Sequence, residues 1–176
     1  MGAKGWHRRG YLPHFDGHGI SQHVVFRLFD SVPPDERDGD DVLDRHMGVA
    51  FMRDPACARI VAEALLHGDG QRYVLQAWCV MPNHVHALIA TNAKIELGLI
   101  VHAWKRFTTR RINESVGRTG AVWAKDYFDR YMRDDAHFET TRSYIERNPV
   151  VANLCDGPEE WPFSSAGWRE TPKERE

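Results

Sequence analysis

Two apolar segments meet at a short turn in the stretch YVLQAWCVMPNHVHALIA, which spans residues 73–90. The first segment, 73–81, is apolar at nearly every position, a pattern that favours a central β-strand. Pro82 and Asn83 break the run and 84–90 resumes it, so the stretch predicts a tight antiparallel hairpin. We therefore expect an antiparallel sheet at the centre of the fold.

The second strand of this hairpin carries two histidines on one side. Side chains alternate across a strand, so His84 and His86 point the same way while Val85 points to the other face. Two imidazoles at this spacing are close enough to bind one cation. Two histidines on a half-exposed strand would give the same pattern. The spacing alone therefore does not distinguish a metal site from a pair of surface histidines.

Helices and further strands are predicted on both sides of the hairpin. Residues 23–29 form a β-branched and aromatic run that predicts a first strand. Asp54-Pro55 and Gly68 are start and stop signals for a helix with one apolar stripe. The rest of the pattern predicts a helix, a strand or hairpin, and a last helix ended by a proline, over 95–114, 122–133 and 135–148.

The composition indicates one folded domain with short extensions. The chain has 176 residues, of which 42% are hydrophobic and 27% charged, as is ordinary for a globular protein. We expect an irregular N-terminal arm over 1–22, a main domain over 23–150 and a C-terminal tail packed on it over 151–176. No apolar run could span a bilayer and the start lacks a secretion segment, so the expected location is the cytoplasm. The three cysteines form no CxxC pair, which argues against disulfides and a cysteine zinc site.

Charge is segregated along the chain, although the net charge is only −2. Acidic residues crowd the stretch 35–44, whereas basic residues crowd 105–118. Local fields decide binding more than the sum does, and arginine suits bidentate contact with phosphate. Nucleic acid is therefore a candidate partner, although a solvated charged helix would look the same.

The last predicted helix carries a second set of candidate residues. Tyr144 and Asn148 are four apart and adjacent on one face, with His137 and Thr141 on the same stripe. A tyrosine can be a covalent nucleophile where a divalent metal binds the target phosphate, and an asparagine oxygen can complete the metal's ligands. A tyrosine beside the core and an asparagine at the helix end would have the same spacing.

Together these motifs resemble a known family. MPNHVH (81–86) resembles the HUH motif of the IS200/IS605-type tyrosine transposases. Five more stretches look like the domesticated, REP-associated branch of these transposases, namely RGYLPHFD (9–16), AWKRFT (103–108), WAKDYFDRYMR (123–133), YIERNPV (144–150) and WPFSS (161–165). The similarity covers almost the whole chain in the expected order.

The resemblance implies a ferredoxin-like α+β sandwich, with a central antiparallel sheet that carries the histidines and helices on one or both faces. It implies that 23–150 is the catalytic domain, with Tyr144 as the single catalytic tyrosine. His84 and His86 would bind a divalent metal, Mg²⁺ or Mn²⁺, and Asn148 stands where mobile relatives usually have glutamine as the third ligand. The implied reaction is cleavage of single-stranded DNA through a 5′-phosphotyrosine, which a 3′-hydroxyl can reverse.

The family's substrates are imperfect hairpins of repetitive extragenic palindromes, each with a short single-stranded foot. We expect contacts to the DNA backbone from basic residues of the second helix, Lys105, Arg106, Arg110 and Arg111. The foot is expected to meet residues of the N-terminal arm, Arg8, Arg9 and Tyr11. We expect a monomer or a homodimer, and no membrane partner.

Other classes of protein fit less well. A histidine-triad hydrolase needs a third histidine, and an HxHxDH metallohydrolase an aspartate, at the position of Leu88. A two-histidine phosphodiesterase needs two separate His-x-Thr/Ser motifs, which the chain lacks. The remaining alternative is a domesticated protein that binds the same hairpins with little or no catalysis. Tyr127 and Tyr131 are the fallback nucleophiles.

Overall fold

A computed structural model of the chain describes residues 5–8, 13–17, 19–31, 48–92 and 95–168. The predicted contacts of Arg9 and Tyr11 and the acidic stretch 35–44 lie outside these residues, as does the side chain of Arg8. Within the same ranges, no helix combines the length and the apolar character that a membrane crossing demands.

Six strands and three helices make up the described fold. The strands are β1 (Gly5–Arg8), β2 (Pro13–Asp16), β3 (Ser21–Arg27), β4 (Tyr73–Val80), β5 (His84–Thr91) and β6 (Phe128–Tyr131). The helices are α1 (Pro55–His67), α2 (Leu97–Val116) and α3 (Asp135–Val151), and short 3-10 helices lie at Phe51–Arg53 and Pro158–Glu160.

The central sheet has four antiparallel strands in the order β4-β5-β3-β6. The chain order β3-α1-β4-β5-α2-β6 is that of a ferredoxin-like sandwich. The strands β4 and β5 are joined by the predicted tight turn, which the Met81 amide closes by donating to the His84 carbonyl at 2.8 Å. The predicted α+β sandwich, with the histidines on a central strand and helices on one or both faces, is confirmed, and the helices lie on both faces.

The sheet is covered on both faces because its strands bury side chains on both sides. One core packs α1 and α2 against the first face, which includes Val85, Ala87 and Ile89 of β5. A smaller core packs Ile145 of α3 against the second face, at Leu88. Each buried Val, Leu or Ile side chain contributes about 1.5–3 kcal/mol to stability. Alternation along β5 therefore places His84 and His86 under α3.

The helix α1 begins and ends where the sequence predicts. The Asp54 carboxylate accepts a hydrogen bond from the Ala56 amide at 2.9 Å, and Pro55 occupies the first turn, where its missing N–H costs nothing. Gly68 follows the last residue, His67.

The last helix, α3, extends further than predicted, because Pro149 lies inside it. It starts with the Asp134 carboxylate accepting from the His137 amide at 2.7 Å. A proline this close to the C-terminus removes one helical donor but leaves the final turn intact, since the Ala152 amide still donates to the Asn148 carbonyl at 2.9 Å. The prediction that Pro149 ends the helix is wrong.

Within 122–133 only Phe128–Tyr131 forms a strand. The preceding residues fill the first core instead. The Trp123 ring lies edge-on to Phe26, with centroids 4.8 Å apart, and its indole N–H donates to the Thr108 hydroxyl at 2.8 Å. Strand pairing there is limited to one isolated antiparallel bridge, between Trp123 and Leu28.

The predicted irregular arm contains the antiparallel hairpin β1–β2. A fully buried histidine of this hairpin, His14, is clamped by two carboxylates, with Nδ1 on Asp129 and Nε2 3.2 Å from Asp126. The partners lie more than 100 residues away along the chain. No local sequence pattern shows such a long-range contact, which is why the sequence predicts an irregular arm.

Residues after α3 pack back onto the sheet. The Val80 amide donates to the Phe163 carbonyl at 2.8 Å, and the Trp161 indole donates to the Val80 carbonyl at 3.0 Å. The Ser165 hydroxyl donates to the Glu146 carboxylate at 2.9 Å. These bonds tie the end of β4 to α3.

Candidate active site

Two histidine rings meet on β5 beneath α3. The side chains of His84 and His86 are fully buried, and their Nε2 atoms lie 3.0 Å apart. The ring planes are nearly perpendicular, at 81°. The strand therefore brings two ring nitrogens to one point.

Each of these rings is held through its other nitrogen. His84 Nδ1 lies 2.7 Å from the side-chain oxygen of Asn83, and His86 Nδ1 lies 3.0 Å from Nε2 of His23. The oxygen of Asn83 favours a proton on His84 Nδ1, which leaves the Nε2 lone pair directed at the shared point. Burial lowers the pKa of His86 to about 3, so this ring stays neutral at physiological pH.

The spacing of the two nitrogens fits one divalent cation. Two imidazole nitrogens bound at about 2.1 Å and at right angles lie about 3.0 Å apart, which matches their separation in the structure. Among the described residues, no three His, Cys, Asp or Glu side chains surround a common point. A cation here would take its other ligands from an amide, water or substrate, which is the open arrangement that a reaction at phosphate needs.

Tyr144 lies against this pair from the side of α3. Its half-buried ring is edge-on to His86, with centroids 5.7 Å apart and planes at 89°. It meets the His23 ring in a similar way at 6.3 Å. The final helix thus places one tyrosine next to the histidines.

The two fallback tyrosines contact other parts of the molecule. Tyr127 stacks on His14, with centroids 4.3 Å apart, and Tyr131 packs against Phe15 at 5.0 Å. Both contacts involve the N-terminal hairpin.

Asn148 lies one helical turn beyond Tyr144 and is 1% exposed. Neither its amide oxygen nor its amide nitrogen has a hydrogen-bond partner within the part of the chain that the structure describes. Leaving a buried amide without partners costs about 1–3 kcal/mol. An amide oxygen is a ligand that hard divalent cations accept, so this side chain fits a metal site.

His23 is a site residue that the sequence analysis missed. It is buried, and besides its contact with His86 Nδ1 its ring stacks on that of His86 at 19°. It lies in β3, 63 residues from His86, and only the register of β3 against β5 brings the two together. Alternation assigns His23 to a face of its own strand, but the sequence does not give the pairing.

The basic residues of α2 take two positions. Lys105 turns inward, where its ammonium donates to the carbonyls of Ala124 and Asp126 at 3.0 and 2.8 Å. Burial lowers the pKa of Lys105 to about 8, against the opposing effect of the Asp126 carboxylate. Its ammonium group therefore holds the loop before β6 in place.

The arginines of α2 stay at the surface. Arg106, Arg110 and Arg111 are exposed and line an open groove of about 790 Å³ between α1 and α2. This groove lies on the sheet face opposite the histidine pair, because both helices pack on the first face. The histidines and the arginines are thus separated by the thickness of the sheet.

The sequence is similar to transposases. The sequence model of the family described as "Transposase IS200 like" matches residues 58–148, more than half of the 176 residues. The protein named "Putative REP-associated tyrosine transposase" of Haemophilus influenzae is 24% identical over 99 residues. That match covers 51% of this chain and 56% of the relative, so the chain spans little more than half the length of the curated relative.

The fold is similar to that of a solved protein as well. A structure described as "Structure of the REP associates tyrosine transposase bound to a REP hairpin" matches with a TM-score of 0.58 at 16% identity. The match covers 90% of this chain and 81% of that chain. The family match itself runs from α1 through the histidine strand to Asn148 of α3. The chain therefore belongs to the IS200-like transposase family.

Proposed function

We propose that this chain is a metal-dependent endonuclease and strand transferase for hairpin-bearing single-stranded DNA, with Tyr144 as its nucleophile. One observation carries the proposal: the Nε2 atoms of His84 and His86 meet at 3.0 Å, with the Tyr144 ring 5.7 Å from that of His86. Membership of a transposase family supports DNA as the substrate. The solved relative is described as bound to a REP hairpin, and we take hairpins of that kind, acted on in the cytoplasm, as the substrate here.

His84, His86 and Asn148 are the residues that would hold the metal, with Mg²⁺ or Mn²⁺ as the cation. When bound, a divalent cation neutralises charge on the scissile phosphate and so eases attack at phosphorus. The protein's part is to keep both imidazoles neutral and aimed at one point, through Asn83 and His23.

Tyr144 carries out the covalent step. Its phenol oxygen forms a bond to phosphorus while the bond from phosphorus to the 3′-oxygen breaks. The phenol loses its proton, and the leaving 3′-oxygen gains one. The product is a 5′-phosphotyrosine, from which a 3′-hydroxyl of another strand can displace Tyr144, so joining needs no nucleotide triphosphate.

Substrate binding includes a movement of the Tyr144 ring. Both histidines are fully buried, so a phosphate cannot reach their Nε2 atoms while this ring stays edge-on to His86. A swing of the half-buried ring away from His86 makes room for the phosphate. Placement of the nucleophile is thereby coupled to binding.

Contacts to the hairpin would be divided between two parts of the surface. The exposed arginines of the groove on the first face can hold the duplex stem by its phosphates, and these are Arg106, Arg110 and Arg111. The N-terminal residues Arg8, Arg9 and Tyr11 are the proposed contacts for the single-stranded foot.

A covalent adduct assay tests the proposed function. The full chain is incubated with Mn²⁺ and a hairpin oligonucleotide labelled at its 3′ end, and the products are separated on a denaturing gel. We expect label to migrate with the protein, because the 5′-phosphotyrosine keeps the downstream fragment attached. Binding without any adduct, across several hairpins and with either Mn²⁺ or Mg²⁺, would instead support the non-catalytic hairpin-binding protein.

His23 is expected to position His86. The change His23→Leu removes the partner that lies 3.0 Å from His86 Nδ1, so the ring is no longer held in the tautomer that offers Nε2 to a metal. We expect the affinity for Mn²⁺, measured by isothermal titration calorimetry, to fall about 10- to 100-fold. The change His23→Gln offers an amide in the same region and should restore part of the affinity. Equal losses in both variants would contradict a positioning role.

Asn148 is expected to matter more for metal binding than for the metal-free fold. The change Asn148→Leu keeps a similar shape and removes an amide that has no hydrogen-bond partner among the described residues. The metal-free protein should be as stable as wild type, or more stable by about 1–3 kcal/mol. The rise in unfolding temperature caused by Mn²⁺ should shrink. Calorimetry with and without Mn²⁺ measures both, and a less stable metal-free variant would count against this account.

A further inference from the structure

An open cavity of about 440 Å³ lies against the edge strand β6. We call it the β6 pocket. Its lining includes three aromatic residues, Trp6, Phe128 and Tyr131. It also includes three residues that carry or can carry positive charge, Arg130, Arg133 and His137.

One side of the β6 pocket, formed by Phe128 and Arg130, lies on the same face of the sheet as the histidine pair. Phe128 is paired with Val25, and Val25 is paired with His86, so the three share one row across the sheet. Adjacent strands are about 4.8 Å apart, which puts the Phe128 backbone about 10 Å from that of His86. In the next row Arg130 is paired with His23, whose ring meets Tyr144 at 6.3 Å.

The helix α3 connects the pocket with the nucleophile. His137, which lines the pocket, is seven residues before Tyr144, a spacing of about two helical turns. Residues at this spacing lie on one stripe of a helix, so His137 and Tyr144 face the same way. A DNA strand with its phosphate at Tyr144 can therefore continue directly into the pocket.

The pocket has the composition of a site for an unpaired nucleotide. Trp6 is 63% exposed and Phe128 is 41% exposed, and the Arg130 guanidinium lies 5.9 Å from the Phe128 ring. Sites for single-stranded DNA combine exposed aromatic rings, on which bases stack, with positive groups near the backbone. Among the described residues that line the pocket, the one carboxylate is Asp129, which is 8% exposed and hydrogen-bonded to His14 and the Phe15 amide.

We propose that the β6 pocket binds an unpaired nucleotide next to the cleaved phosphate, with its base stacked on Phe128 and its backbone held by Arg130 and Arg133. The inference rests on the proposed function, because it takes single-stranded DNA as the ligand. Stacking on a ring face does not distinguish the bases. The pocket therefore binds any unpaired base, whatever its identity.

Equilibrium binding of two oligonucleotides tests this pocket. One is a hairpin with a single-stranded foot that carries 2-aminopurine at the unpaired position beside the scissile phosphate, and the other is the same hairpin without the foot. All proteins carry Tyr144→Phe so that no cleavage occurs. In that background Phe128→Ala is compared with Phe128→Tyr and with Phe29→Ala, which removes an aromatic ring of similar exposure, 52%, outside the pocket.

We expect Phe128→Ala to weaken binding of the footed hairpin about 5- to 100-fold, and to abolish the quenching of 2-aminopurine that stacking causes. Phe128→Tyr and Phe29→Ala should bind as the parent does. The footless hairpin should bind all four proteins equally. Thermal unfolding of each variant shows whether weaker binding results from loss of the ring or from loss of the fold.

Three results would overturn the inference. If Phe128→Ala binds the footed hairpin as well as the parent does while wild type forms the adduct, the proposed function stands and the pocket is wrong. If wild type binds neither oligonucleotide, the proposed function fails and the pocket loses its ligand. If size-exclusion chromatography shows that the parent is a dimer and Phe128→Ala a monomer, the aromatic surface binds a second copy of the chain instead.

Discussion

Replacing Tyr144 with phenylalanine is expected to abolish the covalent adduct while hairpin binding is retained. Phenylalanine keeps the ring that meets His86 and His23 at 5.7 and 6.3 Å, and removes only the oxygen that would bond to phosphorus. We expect adduct formation to fall by at least about 10³-fold, since loss of a covalent nucleophile acts on this scale or a larger one. Denaturing gels with 3′-labelled hairpin measure the adduct, and fluorescence anisotropy measures binding.

Tyr127→Phe is the matched control for this experiment. Tyr127 is stacked on His14, away from the histidine pair, so the loss of its hydroxyl should leave adduct formation unchanged. An adduct that persists in Tyr144→Phe, or one that disappears only in Tyr127→Phe, would assign the chemistry to a different tyrosine.

Removing either histidine of the pair is expected to eliminate both metal binding and cleavage. Each ring supplies one of the two Nε2 atoms that lie 3.0 Å apart, and a single buried imidazole does not hold a divalent cation firmly. At a Mn²⁺ concentration about a hundred times its dissociation constant, wild type should gain about 2.7 kcal/mol in the free energy of unfolding. For a chain of this size that corresponds to a rise of about 5–10 °C in unfolding temperature. His84→Ala and His86→Ala should show no such rise.

The quantity to compare is the difference in unfolding temperature with and without Mn²⁺. Both histidines are fully buried, so their truncation also leaves a cavity that lowers the unfolding temperature by itself. His102→Ala is the matched control, since this histidine is exposed on α2. It should keep the full Mn²⁺ effect and the adduct. A rise in unfolding temperature that survives in His84→Ala and His86→Ala would place the cation elsewhere.

Local sequence patterns predicted much of the sheet that carries this site and of the helix that covers it. The two-residue period of β5 sends Val85 into one core and the two histidines to the other face. The spacing of four residues puts Tyr144 and Asn148 on one stripe of α3. Start and stop signals at Asp54 and Gly68 delimit α1 within a residue. Each of these features depends only on neighbours along the chain, which is why the sequence predicted them.

Local sequence patterns could not predict the contacts between segments that are distant along the chain. His23 reaches His86 only through the register of β3 against β5, and Phe128 enters the same row only because β6 pairs with β3. The sequence pattern predicted that Lys105 lies on the outer side of its helix. In the structure its ammonium donates to two carbonyls of the loop before β6. Periodicity assigns a residue to a face of its own strand or helix, but it does not say which other element packs against that face.

The sequence by itself determined an α+β protein with two histidines on one face of a central strand and a tyrosine on the last helix. Only the tertiary structure decided that these groups meet, that a third histidine holds one of them, and that the arginines of α2 lie on the opposite face. The physical reason is that strand register and helix docking depend on packing between residues far apart in the chain, whereas alternation and capping depend on residues a few positions apart.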